Sequence, residues 1–221
     1  MTPNEHHIKT PRTARMYTLG TFDGKGKHLW IVAHGYRHLA KDFINFFQPI
    51  ADEKTIVVAP EGLSRFYLNG FAGPVGATWM TREDRVNEIY DYVEYLDNVT
   101  ECMIERLDAP PSRITALGFS QGCPTITRWA AMGSVQPDDV VLWGGDTPTD
   151  LDFAAYTERM KKKTTRFVIG KNDDVITKDV FDLSVKLIKD NGLATTETYF
   201  EGGHTIPSDV LLQLKQDISN H

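Results

Sequence analysis

The chain has 221 residues, a net charge of −6 and 24% charged residues, an ordinary globular usage that excludes a disordered, collagenous or coiled-coil protein. An acidic pI near 5.6 argues against a polyanion-binding surface, and so against a nucleic-acid partner. No apolar run approaches the roughly 18–20 residues of a membrane span, and the polar start MTPNEHHIKTPRTARM lacks the apolar stretch of a secretory signal. Cys102 and Cys123 are the only cysteines, too few for a disulfide framework and badly spaced for zinc. The expectation is a single cytoplasmic domain over residues 1–221 with no metal site.

Along the chain, short β-branched runs alternate with helical periods. The runs are His28–Ala33, Thr55–Ala59, Arg113–Phe119, Val140–Trp143, Arg166–Ile169 and Thr196–Phe200. Runs of this kind without polar alternation read as strands buried on both faces of a parallel sheet. Between them the spacing predicts helices over 39–50, 81–107, 121–132, 152–163 and 177–190, with a final helix after Pro207. The longest carries Val86, Ile89, Tyr90, Val93, Leu96, Met103 and Leu107 at helical spacing, with Thr81 as its expected N-cap and Pro110-Pro111 beyond its end. Strands alternating with helices give an α/β fold with a mostly parallel central sheet flanked by helices. The segment 61–80 (EGLSRFYLNGFAGPVGATWM) fits neither element. It is too glycine-rich for a helix and too long for a simple connector. Its Phe66, Tyr67, Phe71 and Trp79 are candidates to wall a substrate pocket, and equally candidates to pin a long loop to the sheet.

Chemistry enters at Gly118-Phe119-Ser120-Gln121-Gly122. This is G-x-S-x-G between a buried strand and a helix, the context of a nucleophile elbow. With seven serines and 17 glycines in the chain, about 0.04 chance matches are expected. The two glycines let backbones approach a sharp turn, so that the Ser120 hydroxyl stands above the sheet near a helix N-terminus. A serine hydroxyl needs a base. Of the seven histidines, His204 lies in a glycine-rich loop after the last strand run, where parallel sheets collect functional groups. The base in turn needs a carboxylate to hold its tautomer. Asp173 and Asp174 follow the run 166–169, and Asp146 follows 140–143, so three acids are placed for this task. The order Ser, Asp, His is that of α/β-hydrolases and excludes the two protease orders. An oxyanion hole would draw on the backbone N–H of Gln121 and on the loop after the first strand run, where the N–H of Tyr36 is favoured over that of Arg37. His34 reads as a loop anchor, because it precedes the serine and ends an inner strand.

Taken together, the His34-Gly35 loop, the GFSQG elbow, the G-x-x-D of Gly170–Asp173 and the G-H-x-I-P of Gly203–Pro207 resemble the phospholipase/carboxylesterase group of α/β-hydrolases, which includes the acyl-protein thioesterases. The likeness runs in order from residue 34 to residue 207. It implies an α/β-hydrolase fold in minimal form, without a large cap domain, and no cofactor. By it the nucleophile falls on Ser120, the acid on Asp173, the base on His204 and the oxyanion donors on Tyr36 and Gln121. The implied reaction is cleavage of a small-molecule carboxylic ester through an acyl-enzyme, with thioester or peptide cleavage as variants on the same residues. A catalytically silent hydrolase-fold binding protein is the rival from another class, and such proteins usually lose a triad member. Cys123-Pro124 stands where the group usually continues its elbow with a second glycine, and Asp174 where it commonly has proline. The segment 61–80 has no close counterpart.

Overall fold

The computed structural model describes residues 2–220. Its centre is a seven-stranded sheet: β1 (Met16–Leu19), β2 (His28–Ala33), β3 (Thr55–Pro60), β6 (Arg113–Phe119), β7 (Asp139–Trp143), β8 (Thr164–Gly170) and β9 (Ala194–Phe200). Their spatial order is β1-β3-β2-β6-β7-β8-β9. Every pairing is parallel except that of β1 with β3. All residues of β2, β3 and β7 are buried, as unalternating runs require when helices cover both faces.

The two faces carry separate cores. One packs Leu29, Ile31, Val58, Ala116 and Leu142 of the sheet against α2 (Arg85–Ile104), α3 (Gly122–Met132), α4 (Phe153–Met160) and α5 (Lys178–Asp190). The other packs Trp30, Val32, Val57, Leu117 and Trp143 against α1 (Ala40–Phe43), the 3₁₀ turn Ile44–Ile50 and α6 (Ser208–Ser219). Alternate residues of one strand thus enter opposite cores, as the two-residue period of a strand dictates.

Several expectations need correction. The stretch 39–50 is one α-helical turn and then a 3₁₀ turn containing Pro49, which has no N–H to continue an α-helix. The long helix starts at Arg85, after Asp84 in the left-handed conformation at φ 48°. Thr81 does not cap it: its N–H donates to the Glu88 carboxylate at 2.6 Å, and its hydroxyl accepts from the Glu83 N–H at 3.2 Å. The buried stripe of that helix is Ile89, Tyr92, Val93, Leu96, Val99 and Met103, whereas Val86 and Tyr90 face solvent. Two features went unforeseen. β1 adds an antiparallel edge strand, and residues 61–80 contain a hairpin of β4 (Ser64–Tyr67) and β5 (Val75–Thr78). Gly70 and Gly73 turn its tip at positive φ.

Candidate active site

Ser120 leaves β6 at φ +53° and opens the turn into α3. A non-glycine residue in this region stores strain that persists only where its surroundings over-determine it. They do so here. A Cβ on Gly118 would lie 2.3 Å from the Gly122 carbonyl oxygen, and one on Gly122 would lie 2.1 Å from that of Ala33. The Ser120 N–H donates to the Trp143 carbonyl at 2.9 Å, so the neighbouring strand holds the turn. Cys123 packs beneath, its Sγ 3.1 Å from the Gly118 carbonyl oxygen, and burial pushes its thiol well above the ordinary range. It is a packing group.

Asp173 and His204 come together from two loops at the carboxyl ends of β8 and β9. His204 Nδ1 lies 2.8 Å from Asp173 Oδ2, with side-chain exposures of 17% and 2%. The other Asp173 oxygen accepts from the Val175 and Ile176 N–H groups at 2.9 and 2.8 Å, so the carboxylate is held at both ends. The loops are clamped to each other, because the Lys171 and Asn172 N–H groups donate to the Phe200 and Gly202 carbonyls. Of the other acids, Asp174 and Asp146 are exposed, and among the described residues only Asp173 pairs with His204. The Phe119 ring, next to Ser120, packs on the His204 ring at 4.7 Å, which brings the elbow and the imidazole together. Gly144 allows a further approach: a Cβ there would sit 3.3 Å from both Asp173 Oδ2 and the His204 ring.

The loop after β2 is built around His34. Its Nδ1–H donates to the Gly35 carbonyl at 2.8 Å, and its Nε2 accepts from the Gly62 N–H at 2.9 Å. Burial lowers its pKa to about 4, with nearby His38 adding to the effect. It is neutral, fully buried and occupied at both nitrogens, a structural pin. The next turn leaves one amide open. The Arg37 N–H donates to the Ala77 carbonyl at 2.9 Å and the His38 N–H to that of Gly35. Among the described residues the Tyr36 N–H has no acceptor, and neither does the Gln121 N–H. Arg37, at φ +73°, therefore has no amide to offer. The Gln121 side chain is locked, its Oε1 accepting from the Trp79 N–H at 3.3 Å and its Nε2 donating to the Met80 carbonyl at 3.0 Å.

The four aromatic candidates separate. Trp79 is 2% exposed, donates its indole N–H to the His34 carbonyl at 2.8 Å and packs on the His34 ring at 5.0 Å. It pins the hairpin to the loop. Phe71 is 99% exposed at the hairpin tip. Phe66 stacks on Tyr36 at 5.2 Å, beside the open amide. Tyr67, its neighbour on β4, is half exposed. A residue not foreseen is His38, whose ring stacks on Phe119 at 5.8 Å and 7°, on the same ring that meets His204. Its Nδ1 is buried without a partner among the described residues, and burial followed by the nearby His204 lowers its pKa.

No described helix is long and apolar enough to cross a membrane. A sequence search among curated proteins finds no match. Similar solved structures include acyl-protein thioesterase 2 of Zea mays, at 18% identity and TM-score 0.68, covering 94% of this chain and 99% of that one. The carboxylesterase of Bacillus cereus aligns at 13% identity and TM-score 0.66, covering 94% of each chain. A phospholipase/carboxylesterase of Dyadobacter fermentans aligns at 16% and 0.64, covering 92% and 95%. At such identities the likeness is one of fold, and the fold is that of an α/β-hydrolase without a large cap. Residues 70–214, which hold the elbow and both loops of the Asp173–His204 pair, match the sequence profile described as Serine hydrolase (FSH1), and the chain belongs to that family.

Proposed function

We propose that the protein hydrolyses carboxylic esters of small molecules through an acyl-enzyme on Ser120. His204 takes the serine proton through Nε2 and returns it to the leaving oxygen, while Asp173 holds the ring with Nδ1 protonated and stabilises the imidazolium that forms. The Tyr36 and Gln121 amides receive the oxyanion. Water then releases the acid by the same steps in reverse. The observation that carries this reading is the 2.8 Å contact between His204 Nδ1 and Asp173 Oδ2 beside a strained Ser120 elbow. Serine-hydrolase membership supports it, as do two open amides on either side of the elbow. The unpaired Cys102 and Cys123 accord with a reducing, cytoplasmic setting.

The test is a turnover screen over p-nitrophenyl esters from acetate to laurate, with lysophospholipid and acyl-thioester substrates alongside. Each buried methylene contributes about 0.8 kcal/mol, so kcat/KM should rise from acetate. It should level off near butyrate to hexanoate, since a site without a large cap offers only a shallow apolar wall. Ser120→Ala should remove turnover throughout. Turnover of thioesters alone would replace the ester reading with a thioesterase one, and persistence in Ser120→Ala would end both.

A further inference from the structure

A recess of about 370 Å³ opens on the Gln121 flank of the elbow, and its lining mixes charged groups with apolar ones such as Met80, Pro124 and Pro148. Arg82, Arg85 and Arg128 face it together with Asp146 and Asp150. Asp150 is fully engaged, pairing with Arg85 at 2.5 Å and with Arg128 at 2.6 Å. Arg128 is only 6% exposed in its side chain. Its Nη1 donates to the Tyr92 hydroxyl at 3.3 Å, while its buried Nε has no hydrogen-bond partner among the described residues, which leaves one donor of the guanidinium unsatisfied. Arg82 is exposed and pairs with no carboxylate among the described residues. The first turns of two helices also border the recess, through Arg85 of α2 and through Pro124 and Thr125 of α3, and each N-terminus adds partial positive charge. Three arginines and two helix ends thus outweigh two aspartates.

The recess borders the elbow. Gln121, the residue after Ser120, lines it, and so does Asp146, which follows Gly145, where a Cβ would sit 2.5 Å from the Ser120 carbonyl oxygen. Because His204 serves the leaving oxygen, the alcohol departs on the side of His204. The recess has Gln121 and not His204 in its lining. Resting on the ester-hydrolase reading above, we propose that this recess receives an acyl chain ending in a carboxylate, so that the preferred substrates are half-esters of dicarboxylic acids. Asp146, next to the elbow, repels a carboxylate held close to the scissile carbonyl, whereas the arginines attract one carried further out. The selectivity therefore depends on spacer length: adipate-like chains are favoured over succinate-like ones.

The test compares kcat/KM for the monoethyl esters of succinic through suberic acid with ethyl ω-hydroxyalkanoates of equal length. The wild type should favour the charged ester about three- to tenfold at adipate, the range of exposed to part-buried ion pairs, and added salt should narrow the preference. Arg82→Gln should reduce the ratio several-fold, and Asp146→Asn should raise it, most for succinate. Opposite shifts from two neighbouring variants are not expected from a purely structural role. Neutral esters faster at every length, or a ratio unmoved by both variants, would overturn the proposal. Calorimetric titration of monoethyl adipate into Ser120→Ala, with and without Arg82→Gln, tests the recess apart from catalysis. Binding weakened by Arg82→Gln sustains the recess even if ester turnover fails. Binding no tighter than that of ethyl 6-hydroxyhexanoate removes it.

Discussion

Two histidine-bearing loops stand at the carboxyl ends of parallel strands, and they treat the imidazole in opposite ways. His34, after β2, is fully buried, spends Nδ1 on a backbone carbonyl and Nε2 on a backbone N–H, and is held neutral with a pKa near 4. His204, after β9, keeps partial exposure and spends Nδ1 on the Asp173 carboxylate, with Nε2 unclaimed among the described residues. The residue type and the position in the fold are shared, and the difference lies in what remains unsatisfied. A ring with both nitrogens spent can only hold structure. One oriented by a carboxylate and open at the far nitrogen can move a proton.

Substitution of the two rings should break the comparison most visibly. His204→Ala should lower kcat/KM for ester hydrolysis by about 10³-fold or more with little change in Tm. Steady-state kinetics alongside thermal melts would check this, and a loss of stability matching that of the His34 variant would erase the distinction. Next in size is the acid. Asp173→Asn should lower kcat by about 10²–10⁴, since it favours the wrong tautomer of His204, and Asp174→Asn should cost less than about tenfold. The reverse ranking in kcat would move the orienting role to Asp174.

His34→Ala tests the other loop. It removes two buried hydrogen bonds and leaves a void beneath Trp79, and should cost about 2–4 kcal/mol in denaturant unfolding. A change within about 0.5 kcal/mol would show that the pin holds nothing. Acid should act on the same ring more gently. His34 and His28 are both lowered to about 4, chiefly by burial, while in the unfolded chain each titrates near 6.5. The unfolded state therefore binds more protons between these values. Stability is full above about pH 6.5 and falls as the pH drops toward 4, by up to about 3 kcal/mol for each ring. Urea unfolding at pH 7, 5.5 and 4.5 would measure the slope, and a flat profile would contradict the buried-neutral assignment.

The parts of the site legible in the sequence are those whose chemistry needs a fixed local pattern. Gly118 and Gly122 flank Ser120 because side chains there would collide with backbone. Asp173 and His204 follow recognisable strands and sit in short loops with little freedom. What escaped lies where partners come from distant segments. β1 has three half-buried residues and one exposed, and β4 and β5 form a short hairpin outside the main sheet, so none carries a long apolar run. Phe71 and Trp79 belong to one aromatic set in the sequence, yet one is in solvent and the other beneath His34. Only the hairpin's docking, through the pairing of Arg37 with Ala77, decides between those fates. Gly144 and His38 gave no local signal either, since each matters through a ring or carboxylate brought in by another strand. The recess draws its arginines from α2, the turn before it and α3, and its aspartates from a further segment, and periodicity does not register such a meeting.

The most direct measurement is covalent labelling. The protein, treated with a fluorophosphonate probe and digested, should carry one stoichiometric adduct on the peptide containing Ser120. Labelling should be lost in Ser120→Ala and strongly slowed in His204→Ala, while His34 is untouched in both proteins. An adduct on another residue, or undiminished labelling of Ser120→Ala, would contradict the assignment of Ser120 as the nucleophile served by His204.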